Sequence, residues 1–361
     1  MKNADYKLFI SVVILALFGC FMIYSSSNIW AEFKFNNPYK YFINQFVFYI
    51  IGVIGMYITS KIDYNLYKKK SNLIILVCFI LLVLVLIPGI GVVRNGSRSW
   101  FGLGGFGLQP SEAAKIGLVI FVSKYLSNNY NIMYDIKKGV FPIISVIGVF
   151  FILIMLEPDF GTAMVITMCL VAMIFISKVK LSFFVKIGVC GLVGIVGLII
   201  IAPYRMARII SFINPWTDPL GSGFQIIQSL YAIGPGGLFG MGIGKSIQKH
   251  FYLPEPQTDF IFAIISEELG FLGVLIVSAL FLTIIYRGMK ISLNAKDLFS
   301  KYLSFGITFS LAFQALLNLM VVVSLIPITG VTLPFLSYGG SSLLITLCSM
   351  GILLNISRYQ K

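Results

Sequence analysis

Ten long runs of apolar, almost uncharged residues dominate the chain and restrict its possible folds more than any motif does. They fall near residues 7–24, 41–60, 71–87, 111–127, 140–156, 160–177, 184–202, 259–286, 302–326 and 335–356. A bilayer core about 30 Å thick takes roughly 20 such residues per helix, and backbone polar groups inside it must be satisfied within the protein. Charged residues are only 11% of the 361, where a soluble chain of this length carries about 25%. The deficit extends along the whole length. The expected fold class is therefore an all-α polytopic membrane protein with ten transmembrane helices in a single domain, 1–361. A long loop, 203–258, joins spans 7 and 8. No small-residue cleavage site follows Leu8–Tyr24, so the first run is expected to remain as a span.

The basic residues set a sidedness. If both termini are cytoplasmic, 18 of the 27 lysines and arginines fall inside, among them Lys61, Lys68–Lys70, Lys137, Lys138, Lys178, Arg287 and Arg358. This matches the positive-inside rule. It also explains the net charge of +14 without nucleic acid as a partner. The acids divide the other way: Glu32, Glu112, Glu157, Asp159, Asp218, Glu255, Asp259, Glu267 and Glu268 lie outside or in outward-facing parts of spans. Chemistry is expected at the outer face. One histidine excludes a multi-histidine metal centre, and the five cysteines, all within apolar runs, read as small hydrophobes.

Several stretches could carry chemistry. In "QPSEAAK" (109–115), Pro110 and Ser111 open a helix that puts Glu112 and Lys115 on one face. They read as an ion pair locking helices or as groups that contact substrate. In "EPDFGT" (157–162), Glu157 and Asp159 read as solvated turn residues or as a cation or phosphate site. Arg205 and Arg208 open the long loop, where their guanidinium forks suit a pyrophosphate or, alternatively, lipid headgroups. "GPGGLFGMGIGKS" lacks the first glycine of a phosphate loop, because Phe239 stands there, and reads as a close-packing glycine segment. "FQIIQSLYAIG" is too short to cross and suits an amphipathic or re-entrant piece. In "LPEPQTDFIF" (253–262), Thr258 is a plausible N-cap that would put Asp259 in the first turn of span 8, charged and facing water. Glu267 and Glu268 lie two turns deeper, where at least one needs a basic partner.

"SRSWFGLGGFGLQPSEAAK", "FINPWTDPLGSGFQIIQSLYAIGPGGLFGMGIGKS", "FYLPEPQTDFIFAIISEELGFLG" and "PFLSYGGSSLL" resemble, in order and over nearly the whole chain, the signature stretches of the SEDS family (FtsW, RodA and SpoVE). The long-loop wording is closer to the FtsW/SpoVE branch. The resemblance implies a ten-span peptidoglycan glycosyltransferase of the bacterial cytoplasmic membrane. Such an enzyme polymerises lipid II into β-1,4-linked strands at the outer face, beside a class B penicillin-binding protein. It puts the family's essential aspartate on Asp259, in a motif that includes Glu255, its fourth-span pair on Glu112 and Lys115, and its outer-loop tryptophan on Trp100. Gln257 stands where many members have histidine.

That chemistry needs a base for an acceptor hydroxyl and positive charge for a departing pyrophosphate. Asp259 suits the first role, and Arg205, Arg208 and Lys245 the second. The candidate cofactor is a divalent cation, Mg or Mn, with Glu157 and Asp159 as its candidate ligands. Two rivals remain: a lipid II flippase, whose site should lie nearer mid-membrane, and a non-catalytic scaffold for the penicillin-binding partner.

Overall fold

The computed structural model describes residues 4–94, 96–103, 106–201 and 203–360. The chain runs α1 (Tyr6–Phe35), α2 (Lys40–Lys61), α3 (Tyr64–Leu86), β1 (Gly91–Arg94), β2 (Ser97–Leu103), β3 (Phe106–Leu108) and α4 (Pro110–Asn128). It continues through α5 (Phe141–Leu156), α6 (Phe160–Phe175), α7 (Leu181–Ile201), α8 (Pro203–Ile213), α9 (Phe224–Ile233), α10 (Ile261–Leu293), α11 (Leu298–Val322) and α12 (Gly340–Ile356). Each of the ten apolar runs coincides with a helix. Among the described residues seven helices are long and apolar enough to cross a membrane, α6 and the Leu181–Gly194 part of α7 being shorter. The protein is a helical, multi-pass membrane protein.

Its surface carries the argument as clearly as its hydropathy does. Along α2 the outward positions are Ile43, Ile50, Ile54 and Ile58, each about half exposed, whereas Gln45, Gly52 and Ser60 are buried. A face of that kind is stable against lipid, and in water it would be a large exposed apolar patch. Inside the bundle, some hydroxyls are satisfied by their own helix: Ser304 Oγ donates to the Ser300 carbonyl at 2.6 Å and Thr308 Oγ1 to that of Ser304 at 2.8 Å. Close approach of α12 to α2 depends on Gly351, where an added Cβ would collide with the Met56 carbonyl.

Helix ends follow local chemistry. Asp5 accepts the Leu8 N–H at 3.1 Å to open α1, and Asp297 and Ser300 form a reciprocal capping box at the start of α11. Pro110 occupies the first turn of α4, as expected.

One feature differs from the expectations: the connection before α4 folds into a three-stranded antiparallel sheet, β1-β2-β3, which no apolar run signals. The loop 203–258 contains a short helix where an amphipathic piece is expected. Its α9 turns Ile226, Ile227, Ser229 and Ala232 inward, and Ser229 Oγ donates to the Val322 carbonyl of α11 at 2.8 Å.

Candidate functional site

The site forms where five segments meet: the start of α4, the α5–α6 turn, the first half of α8, residues 253–260, and the 328–339 connection. Residues 253–260 carry Asp259 and have no regular structure. Glu255 adopts a left-handed φ of 44°, and the Thr258 N–H and hydroxyl both donate to its carbonyl, at 3.0 and 2.8 Å. Thr258 therefore closes a turn and does not cap a helix. The helix α10 begins at Ile261 with no side-chain cap, which puts Asp259 ahead of the first turn and corrects the capping expectation.

Three successive carbonyls of this segment are held by donors from elsewhere in the chain. The Tyr338 N–H donates to Gln257 O at 2.8 Å, Ser337 Oγ to Thr258 O at 2.6 Å, and Asn318 Nδ2 to Asp259 O at 2.7 Å. The Asp259 carboxylate lies over Gly330, where an added Cβ would be 3.9 Å from Oδ2. Burial pushes its pKa up to about 6; Glu255 and Asp159 add to the rise and Arg208 opposes it. The direction is opposite to the one a first-turn aspartate would take. Arg208, on α8, donates to the Ile328 carbonyl at 3.1 Å. The side chain of Arg205 lies outside the described residues.

The α5–α6 turn supplies two further acids. Asp159 caps α6, accepting the Thr162 N–H at 3.0 Å, and takes a second bond from Gln109 Nε2 at 3.0 Å. Burial outweighs these bonds, and its carboxyl stands above the usual range. Glu157 is fully buried, neither carboxylate oxygen has a hydrogen-bond partner among the described residues, and burial followed by Asp159 pushes it up to about 8. It is not the solvated turn residue that its spacing allowed. Above it lies the sheet, from which Ser97 Oγ donates to the Glu157 carbonyl. Half-buried Trp100 sits on β2, opposite Val92. The fit to a divalent cation is poor: among the described residues no three His, Cys, Asp or Glu side chains stand close enough to hold one.

Glu112 and Lys115 form a buried ion pair at 2.8 Å, and Lys115 Nζ also donates to Gln314 Oε1 at 2.7 Å. Gln314 Nε2 passes the connection to the Thr332 carbonyl at 3.0 Å. A cavity of about 10 Å³ beside Lys115, lined also by Ser310, Thr346 and Ser349, is on the scale of a single water.

Deeper on α10 the helix breaks at Gly270, whose φ is 62°. The backbone groups freed there pair with the glycine segment: the Met241 and Gly242 N–H groups donate to Glu267 O and Glu268 O at 2.9 and 3.0 Å. Returning bonds run from the Phe271 and Leu272 N–H groups to Gly237 O and Leu238 O at 2.9 and 3.1 Å. The side chains grip the same loop. Glu267 accepts from Ser246 Oγ at 2.5 Å and Ile247 N at 2.8 Å, while Glu268 accepts from Ser25 Oγ and pairs with Lys249 at 3.4 Å. The basic partner expected for this acidic pair is thus Lys249. Lys245, assigned beforehand to pyrophosphate, is exposed.

A family model described as "Cell cycle protein", FtsW/RodA/SpoVE, matches residues 6–361. The chain belongs to the FtsW/RodA/SpoVE family. Stage V sporulation protein E of Bacillus subtilis (strain 168) is 50% identical over 99% of this chain and 98% of its own length. A probable peptidoglycan glycosyltransferase FtsW of Geobacter sp. (strain M18) is 40% identical over 99% and 97%. A solved structure described as "Structural coordination of polymerization and crosslinking by a peptidoglycan synthase complex" matches all of both chains with a TM-score of 0.81 at 27% identity. The Rod shape determining protein RodA of Thermus thermophilus follows at 0.73 and 26%, over 100% of this chain and 99% of its own.

Within this FtsW/RodA/SpoVE chain, sequence reasoning overlooked Gln314, Asn318, Ser246 and Lys249. The amides offered a readable signal, since "QALLN" places two of them at i, i+4 in an otherwise apolar helix.

Proposed function

We propose that the chain is a peptidoglycan glycosyltransferase that polymerises lipid II at the outer face of the bacterial cytoplasmic membrane. In this reading the chain crosses ten times and both termini are cytoplasmic. The observation that carries the reading is Asp259: a carboxylate on backbone pinned at three carbonyls, raised to about 6, with an arginine acting on it from α8.

A base with that pKa is ionised at neutral pH yet holds a proton more readily than an ordinary aspartate, as general base catalysis requires. Asp259 takes the proton of the acceptor sugar's 4-hydroxyl as its oxygen attacks the donor's anomeric carbon. The bond from that carbon to the pyrophosphate oxygen breaks with inversion, turning an α-linked donor into a β-linked product. Arg208, with Arg205 and Lys245 on the same loop, neutralises the departing pyrophosphate. The Glu112–Lys115 pair and Trp100 bind and orient substrate around that centre. A class B penicillin-binding protein is the proposed partner, in keeping with the neighbour described as coordinating polymerization and crosslinking.

The deciding experiment gives purified protein labelled lipid II in detergent, with and without that partner. Glycan is expected from wild type and not from Asp259→Asn. Equal polymerisation by the variant would remove Asp259 from the mechanism, and no glycan from wild type under either condition would remove the activity.

A further inference from the structure

We propose that Gln314 and Asn318 are positioning residues: one turn apart on α11, they set the Asp259 carboxylate and couple it to the Glu112–Lys115 pair. The inference rests on Asp259 as the base. Both amides are nine-tenths or more buried. Asn318 Nδ2 donates at 2.7 Å to Asp259 O and at 2.7 Å to Val331 O. Gln314 Nε2 donates to the next carbonyl along, Thr332 O, at 3.0 Å, while its Oε1 accepts from Lys115 at 2.7 Å. The backbone leading into 331–332 passes under the Asp259 carboxylate at Gly330. One helix face thus holds both the base and its floor, and it is tied to a buried cation on α4.

The chemistry of the side chains matches these tasks. Gln314 bridges a cation on one side and a carbonyl on the other, which needs an acceptor and a donor in one group. Asn318 works only through its two N–H bonds, since its Oδ1 has no partner among the described residues. A carboxylate offers no donors there, and leucine, the ordinary choice for a membrane helix, would leave two carbonyls without these bonds. Two buried amides in such a helix are costly unless the geometry they impose is used. The geometry in question is the backbone of the base itself, and misplacement by about 1 Å can cost a factor of about 100 in rate.

The test uses the full-length protein with its penicillin-binding partner and labelled lipid II. For Asn318→Leu, kcat is expected to fall by about 30–100-fold with KM changed less than about threefold, and the acid limb of the pH profile to move. Asn318→Asp should match the leucine variant, because size is kept and donors are lost, while Asn318→Thr, with one donor, should recover part of the rate. Gln314→Leu should lose about 3–10-fold. Hydrogen exchange gives a readout free of activity: in Asn318→Leu, amides of 255–260 and 329–338 should exchange about tenfold faster together, with the inner ends of the helices unchanged. Wild-type exchange at both segments, or faster exchange throughout the chain, would overturn the proposal. So would an active Asn318→Asp. If wild type itself makes no glycan, the proposed function fails, and the exchange measurement still decides whether these amides hold the segment.

Discussion

The two ends of the bundle carry the same residue type in opposite states. At the end holding the termini, Asp5 caps α1 and takes a charged bond from Arg287 at 2.6 Å. There too, Asp297 accepts from Tyr64 Oη at 2.7 Å and from Ser300 N at 3.0 Å. Burial works against the Asp297 charge, but the bonds from Tyr64, Ser300 and Phe299 outweigh it, and the carboxyl ends below its ordinary value. At the opposite end Glu157, Asp159 and Asp259 all stand above theirs. The difference lies in which influence wins. For Asp297 the donors outweigh burial; at the opposite end burial and neighbouring acids outweigh the donors, of which Asp159 has two and the Glu157 carboxylate none among the described residues. Strained protonation of that kind concentrates where proteins handle protons or charge, although structural networks also produce it.

The comparison breaks most visibly at Asp259. Asp259→Asn should lower polymerisation by about 10²–10⁴-fold without lowering the thermal unfolding temperature in detergent. The wild-type rate should fall about tenfold per pH unit below its pKa of about 6, measured by glycan formation across pH. Asp297→Asn should do the reverse, leaving the rate and lowering stability.

Next in size is Glu112, which has a buried cation beside it. Lys115→Met leaves Glu112 buried without its cation and should cost about 3–5 kcal/mol, read by thermal unfolding. Adding Glu112→Gln to that variant should restore part of the loss, because the stranded charge is gone.

Glu157 gives the effect of burial a dependence on pH. Its folded pKa of about 8 lies above the ordinary 4.5, so the folded state binds the extra proton between those values. The resulting stabilisation is complete below about pH 4.5 and is lost as pH rises to about 8. Glu157→Gln removes the titration. Relative to wild type it should gain a few kcal/mol at pH 8–9 over its relative stability at pH 4.5, at about 1.4 kcal/mol per unit, seen as a flatter plot of unfolding temperature against pH. The smallest effect belongs to the end holding the termini, where Asp297→Ala removes a cap and should cost about 1–2 kcal/mol.

Much of this was open to reading. Apolar length located the ten helices, since burial in lipid makes hydropathy a direct constraint on backbone structure. Pro110 located the start of α4, and the i, i+3 spacing of Glu112 and Lys115 is met by the ion pair. The sheet escaped because its strands are short and carry many glycines, although Asn95–Gly96 is a hairpin signal. Thr258 departs from the capping expectation because a cap and a turn use the same residue type; its hydroxyl donates to the Glu255 carbonyl instead. The basic partner of Glu267 and Glu268 goes unnamed in the sequence because nothing local distinguishes Lys245 from Lys249, four residues apart. Only the fold of the loop shows which of them turns inward to Glu268.

By itself the amino-acid sequence determined the helical membrane class, the helices' places along the chain, the family, and Asp259 as the residue to suspect. These follow from hydropathy and from motifs whose meaning is local. The tertiary structure alone decided what state Asp259 is in. Its carbonyl bond comes from a residue 59 positions away, its floor is Gly330, and the charges that move its pKa are Glu255, Arg208 and Asp159. A carboxylate's proton affinity depends on burial and on charges a few ångströms away. Asp159, Arg208 and Gly330 are brought to it only when the helices have packed.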